Sequence, residues 1–236
     1  MAESIARPAA SQTLSRGLHI LEIMADAPGP LSIDDVASSL GVHRSVAYRL
    51  IRTLEDHGFV SRRGAGHLVL GTRLAALAGG VERDLQAVAV PELTLAARDL
   101  GMTCFLGVHD RDECVTFSSV EPPRAVAVVA QRPGTRHPVR LGAPGKAILS
   151  QLPSEQWPEG VTEDDLEQIR LVRERGWAET SDEVIEGLQS VGVPLALSGG
   201  RVAALAAVFV GAGDRGRIAE RLTAAAEAIR CASPEV

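Results

Sequence analysis

The chain has 236 residues, 45% of them hydrophobic and 23% charged, with a formal net charge of −6. That balance excludes a disordered or collagen-like polypeptide and a wholly basic nucleic-acid coat. At a soft prior of ~150 residues per domain, the length implies one small and one medium domain. In chain order, the spacing of Leu14, Leu18, Ile20, Leu21, Ile23 and Met24 predicts a helix over residues 13–27 with one broad apolar face. Pro28, Gly29 and Pro30 end it. Ser32 is placed to cap a short second helix, with Asp34 and Asp35 in the first turn where the helix dipole favours them. Gly41 turns the chain towards a third helix over residues 43–57. Val36, Ala37, Leu40, Gly41, Val42, Ala47 and Leu50 fall at helix-turn-helix spacing; Ala37 is small where the helices cross, and Gly41 makes the sharp turn.

Helical phase divides the third helix into two faces. Ala47, Leu50, Ile51 and Leu54 recur at i, i+3, i+4 and i+7 and face a core, so Arg44, Ser45, Tyr48, Arg49 and Arg52 point outward together. Guanidiniums, a hydroxyl and a phenol on one exposed face suit phosphate clamping and base-edge hydrogen bonds in a major groove. Charge agrees with this placement. Residues 1–70 sum to zero, but residues 43–67 hold five arginines against Glu55 and Asp56, a local charge of +3. Residues 59–60 and 68–70 then read as a hairpin whose glycine-rich tip, residues 61–67, carries Arg62 and Arg63 towards the DNA backbone as a wing. A solvated charged face is the bland alternative for one basic helix, and it loses force when helix, turn, helix and basic hairpin follow in order.

Beyond residue 70, Leu74, Leu77, Val81, Leu85 and Val88 form an apolar stripe over residues 72–88, as in a helix that packs on another helix. Gly79 and Gly80 cost it about 2 kcal/mol of helix propensity, so a kink or break is expected there. Pro91 is expected to start a further helix that ends at Gly101. Strands are predicted at residues 102–108, 113–120 and 125–131. Helices at 145–151 and 163–175 follow, then strands at 177–181, 189–197 and 201–210, and a last helix at 217–230.

The stretches 14–21 (LSRGLHIL), 31–37 (LSIDDVA) and 42–55 (VHRSVAYRLIRTLE) resemble the winged-helix start of the IclR-type (isocitrate lyase regulator) transcriptional regulators. Residues 132–147 (RPGTRHPVRLGAPGKA), 174–178 (ERGWA) and 200–202 (GRV) are similar to the effector-binding domain of that family. The resemblance spans nearly the whole chain. It implies an α+β protein: a winged helix-turn-helix DNA-binding domain (1–70), a linker helix (71–88) and a GAF-like antiparallel-sheet domain for effector binding and oligomerisation (89–236). It also implies homodimers or dimers of dimers on pseudo-palindromic double-stranded operators, and a small-molecule effector.

In that family, effectors sit between the sheet and the loop before the Gly-Lys helix, here Leu141, Gly142, Ala143 and Pro144. Amides at a helix N-terminus suit a carboxylate, although Pro144 removes one donor. The resemblance places further pocket positions at Thr180, Ser190, Ala207 and Phe209, where relatives that bind small hydrophilic acids carry more polar groups. Strand alternation puts Ala207 and Phe209 on one face. With Met102 and Cys104 they would form an apolar wall, so the expected effector is an organic acid with an apolar or aromatic body. The alternative is that these residues merely pack the sheet.

Nothing in the sequence points to catalysis. Residues 211–216 (GAGDRG) match G-x-G-x-x-G between a strand and a helix, but no strand follows to complete a βαβ unit, so a glycine-rich turn is expected. Gly145 and Lys146 are not a phosphate-binding loop, because Arg140 and Ala147 stand where that motif needs glycine and a hydroxyl. No histidine or cysteine pairing suggests a metal or cofactor. No run reaches the ~18 apolar residues of a membrane span, and residues 1–12 do not read as a signal peptide. Three unpaired cysteines, Cys104, Cys114 and Cys231, fit a reducing cytoplasm. Two readings stand: a ligand-responsive repressor of a nearby catabolic operon, or a DNA-binding regulator whose C-terminal domain only oligomerises.

Overall fold

The computed structural model describes residues 11–64, 66–80, 83–123 and 129–232. The chain divides into two compact units, residues 1–81 and 82–236.

In the first unit, α1 (Gln12–Asp26), α2 (Ile33–Leu40) and α3 (Arg44–Asp56) precede the hairpin β1 (Val60–Arg63) and β2 (His67–Leu70). Each boundary has a chemical cause. The Ser32 hydroxyl accepts the Asp35 amide, and the Asp35 carboxylate accepts the Ser32 amide in return, closing a capping box at the start of α2. Gly41 ends α2 at φ 65°, a backbone state that a residue without Cβ adopts freely. The His43 ring caps α3 by accepting the Ser45 amide. Ile20, Val36, Ala37, Ala47, Ile51, Val60 and Leu68 fill the core, and burial of each isoleucine is worth ~1.5–3 kcal/mol. Leu14 and Leu18, expected in that core, are 63% and 53% exposed. The buried stripe of α1 runs instead through Gly17, Ile20 and Met24. An isolated antiparallel bridge joins Leu31 to Leu68 on the other side of β2.

The expected stripe at 72–88 is not one helix. α4 (Arg73–Ala78) ends at Gly79, as the glycine pair predicts, and buries none of its residues. α5 (Arg83–Leu100) then runs straight through Pro91, where a new helix was expected to start. A mid-helix proline removes one backbone hydrogen bond. The series Leu85, Ala89, Leu93, Ala96 and Ala97, all buried on one side, keeps the helix continuous across it. Leu85 therefore belongs to the core of the second unit, Leu77 is half exposed, and Val81 lies outside the described residues.

The second unit is a six-stranded antiparallel sheet, ordered β5-β4-β3-β8-β7-β6. Its strands are β3 (Thr103–Asp110), β4 (Glu113–Val120), β5 (Arg136–Pro138), β6 (Ala178–Ser181), β7 (Leu188–Ala196) and β8 (Val202–Val210). The strand expected at 125–131 falls largely outside the described residues, and 129–131 are not strand; the strand at the edge beside β4 is β5. α5 and α8 (Arg215–Ala232) cover one face, with Leu93 and Leu222 in one core with Leu106, Val193 and Leu205 of the sheet. α6 (Gly142–Leu149) and α7 (Glu163–Arg175) cover the other. α6 begins at Gly142, three residues earlier than predicted, so Pro144 sits in its first turn, where a missing amide hydrogen costs little. A Cβ on Gly145 would lie 2.0 Å from the Val139 carbonyl oxygen, and one on Gly192 would lie 2.8 Å from the Ala143 carbonyl group. Gly192 lets α6 press against the sheet, and Gly145 lets it pack on the turn that follows β5.

Candidate nucleic-acid interface and ligand cavity

Arg44, Ser45, Tyr48, Arg49 and Arg52 are all exposed on α3, opposite the buried Ala47 and Ile51. The first four, with His43, line a shallow concavity on the surface of the unit. Two of the predicted arginines are engaged within the protein. Arg44 pairs with Asp34 of α2. Arg62 of the wing donates two hydrogen bonds to Glu55 of α3, at 2.7 and 3.1 Å. Arg49, Arg52 and Arg63 have no acidic partner among the described residues. Sequence reasoning counted Glu55 against the basic patch and missed that it fastens the wing to the helix.

The second unit has an open cleft between the sheet and the start of α6. Four of the predicted pocket residues line it: Gly142, Pro144, Thr180 and Ser190. Three do not. Ala143 packs with Val172 and Ala178 beneath α7. Ala207 and Phe209 lie in the core under α5 and α8, together with Cys104 and the flanking Met102. Register explains the correction. Ser190 pairs with Val208, and Thr180 with Ser190, so these three share one face, while Ala207, opposite Cys104 and Val191, faces the other way. The apolar wall is Phe105 and Val208, joined by Leu188, Val184 and Ile185. The alternation that groups Ala207 with Phe209 was correct; their assignment to the cleft was not. Gly213, inside the apparent dinucleotide fingerprint, leaves room for the Phe209 ring, which a Cβ there would approach to 2.8 Å.

Polar groups of the cleft include Gln131, His137, Thr180, Glu183 and Ser190. The Glu183 carboxylate accepts the Gly142 amide hydrogen at 2.9 Å, so the N-terminal amide of α6 already holds an anion. Lys146, one turn on, is 2% exposed and ion-paired with Asp165 of α7. Burial raises the Asp165 pKa, but hydrogen bonds from Lys146 and Thr162 outweigh it and leave the carboxyl below its usual value. Burial also lowers the pKa of His137, against the opposing pull of the Pro138 carbonyl. The Cys104 and Cys114 thiols are pushed up to about 12 by burial and are not reactive thiolates. Glu183, His137 and Phe105 were not foreseen as pocket residues, since none stands at the quoted helix-start and strand positions.

Among the described residues, no helix is long and apolar enough to cross a membrane, and no cluster of His, Cys, Asp and Glu is placed to hold a metal ion.

Residues 13–64 match the IclR helix-turn-helix domain, and residues 80–234 match the bacterial transcriptional regulator IclR C-terminal domain. The chain is 31% identical over 150 residues to the acetate operon repressor of Salmonella typhimurium, an alignment spanning 61% of this chain and 54% of that one. It is similar to a crystal structure of an IclR transcriptional regulator from Alicyclobacillus acidocaldarius, with a TM-score of 0.84 and 25% identity, covering 96% of this chain and 100% of that one. It shares its fold with an IclR homolog from Microbacterium hydrocarbonoxydans complexed with 4-hydroxybenzoate, with a TM-score of 0.82 and 22% identity, covering 94% and 98%.

Proposed function

The chain belongs to the IclR family of DNA-binding transcriptional regulators, which are not enzymes, and from that premise we propose that it is a ligand-responsive repressor of a catabolic operon. The exposed face of α3 enters the major groove, where Arg44, Ser45, Tyr48 and Arg49 reach base edges and phosphates. Arg52 and the wing residue Arg63 hold the backbone, and Arg62, paired with Glu55, sets the wing beside it. Two copies of the chain bind a pseudo-palindromic operator. The name of the Salmonella relative supports repression. The ligand is an organic acid with a flat, apolar body, and the 4-hydroxybenzoate held by a neighbour of the same fold supports that class. The supporting wall is Phe105 and Val208 rather than Ala207 and Phe209.

The observation that carries this reading is the coexistence of an exposed basic helix face and an open, apolar-walled cleft with a few hydroxyls and amides. The test is operator binding by the full-length protein, using the DNA that flanks its own gene, with and without aromatic acids such as 4-hydroxybenzoate. Sequence-specific binding that weakens as the acid is added supports the reading. Binding that no acid alters supports a C-terminal domain that only oligomerises.

A further inference from the structure

Glu183 stands in the turn between β6 and β7, and its Oε2 accepts the amide hydrogen of Gly142, the first residue of α6. The same oxygen lies 3.6 Å from Nζ of Lys146. Lys146 is already paired with Asp165, which also accepts hydrogen bonds from the Thr162 amide and hydroxyl. One buried lysine therefore faces two carboxylates. They are not held alike: the Asp165 side chain is 7% exposed and that of Glu183 is 22% exposed. Glu183 has one backbone amide and one longer ion contact, so it is the carboxylate free to leave. Its neighbours Val184 and Ile185 line the cleft yet are 46% and 56% exposed, so little burial holds the turn down. The Asp182 carboxylate accepts the Gly187 amide at 2.6 Å, which closes the turn on itself as a small unit.

We propose that Glu183 is a built-in occupant of the anion position in the cleft. An acidic effector binds by exchanging its own carboxylate for that of Glu183 on the Gly142 amide, and the exchange releases the turn. This rests on the acid reading given above. One amide hydrogen cannot serve two carboxylates fully, and two anions side by side in a partly dry site repel. An acid that entered beside Glu183 would leave the set doubly negative. An acid that replaced it restores the hydrogen bond and sends the surplus charge into solvent. An uncharged ligand has no such competitor. Glu183 thus sets which ligand class is selected and couples binding to movement of the turn.

The test is calorimetric titration of the full-length protein with benzoate and its uncharged counterpart benzamide, in wild type, Glu183→Gln and Glu183→Ala. The glutamine keeps an acceptor for the Gly142 amide and removes only the charge. Benzoate should bind about ten-fold or more tighter in Glu183→Ala, the scale of one charge-assisted hydrogen bond no longer contested, and tighter by a smaller factor in Glu183→Gln, where only the repulsion is removed. Benzamide should change by less than about two-fold, within the scatter of a neutral contact. Benzoate binding that is unchanged or weaker in the variants overturns the exchange and leaves the acid reading in place. Benzamide binding more tightly than benzoate in all three proteins overturns the acid reading, as does binding of neither. A second measurement does not depend on the variants folding. In wild type, amide hydrogen exchange of residues 183–187 should quicken when benzoate is added. Unchanged or slower exchange overturns the release.

Discussion

Arg62 on the wing and Glu55 on α3 are joined through Nε and Oε1 at 2.7 Å, with a second bond at 3.1 Å, so the hairpin and the exposed helix are set relative to each other by one bidentate pair. That pair has a consequence for how the two wing arginines act. Arg62 spends its charge against Glu55, whereas Arg63 is exposed and has no acidic partner among the described residues. Arg63→Ala should weaken binding to all DNA sequences and reduce the slope of log affinity against log salt by about one. Arg62→Ala should change that slope by less and should instead loosen sequence discrimination. Fluorescence anisotropy from 50 to 200 mM salt measures both. Equal slope changes in the two variants would show that the Glu55 pair is lost on DNA.

Lys146 and Asp165 are both buried, so removing one partner leaves the other charged in a dry site. Lys146→Met should destabilise the second unit by about 3–5 kcal/mol in a urea titration. A loss below about 1 kcal/mol would place the pair in solvent-like surroundings. The pH dependence has a definite sign. The folded-state pKa of Asp165 lies below its usual value, so its contribution is complete above the unfolded value and fades as pH falls through the folded one. Asp165→Asn should flatten the acid limb of the stability curve below about pH 4.

His137 acts in the same sense at a higher pH, through burial rather than hydrogen bonding. Its folded pKa is depressed by burial, so the unfolded chain takes up a proton at a pH where the folded chain does not. Stability should be flat above the ordinary imidazole value of ~6.5 and should fall as pH drops from there towards the folded pKa. Melting temperatures of wild type and His137→Gln between pH 5 and 8 separate this from other groups. A wild-type curve parallel to that of the variant would count against a buried neutral imidazole.

Phe209 and Val208 are neighbours in sequence on opposite faces of β8, one in the helix-covered core and one on the cleft. Phe209→Ala should cost about 3–5 kcal/mol of stability while leaving ligand preference unaltered. Val208→Phe should fill the cleft, with a modest effect on stability and loss of response to aromatic acids. Denaturant titration and ligand-induced thermal shift, run on both variants, check the division. A Phe209→Ala protein with altered ligand preference would reopen the placement of that ring.

Much of the first unit was legible in residue order because its signals are local. Ser32 with Asp35, Gly41, and the alternation of Arg44, Ser45, Tyr48 and Arg49 with Ala47 and Ile51 act within one or two turns of chain. The exposure of Leu14 and Leu18 was not legible, since periodicity marks an apolar face without saying how much of it is covered. Pro91 misled for a related reason: its local cost is real, but the buried row from Leu85 to Ala97 outweighs it only once the sheet lies beneath.

The cleft divides along the same line. The family resemblance placed Thr180 and Ser190 near the cleft; residue order alone determined that β8 alternates and that a helix starts beside Pro144. These follow from the two-residue period of a strand and the backbone limits of proline and glycine. Which face of β8 meets the cleft was decided only by its pairing with β3 and β7, because alternation separates two faces without naming the one that a distant loop will cover. The same holds for the anion on α6. Gly142 and Glu183 are 41 residues apart, and no local rule links them. Folding of β6 and β7 against the helix brings the carboxylate to the amide, and the charge of the cleft is therefore a property of the tertiary structure.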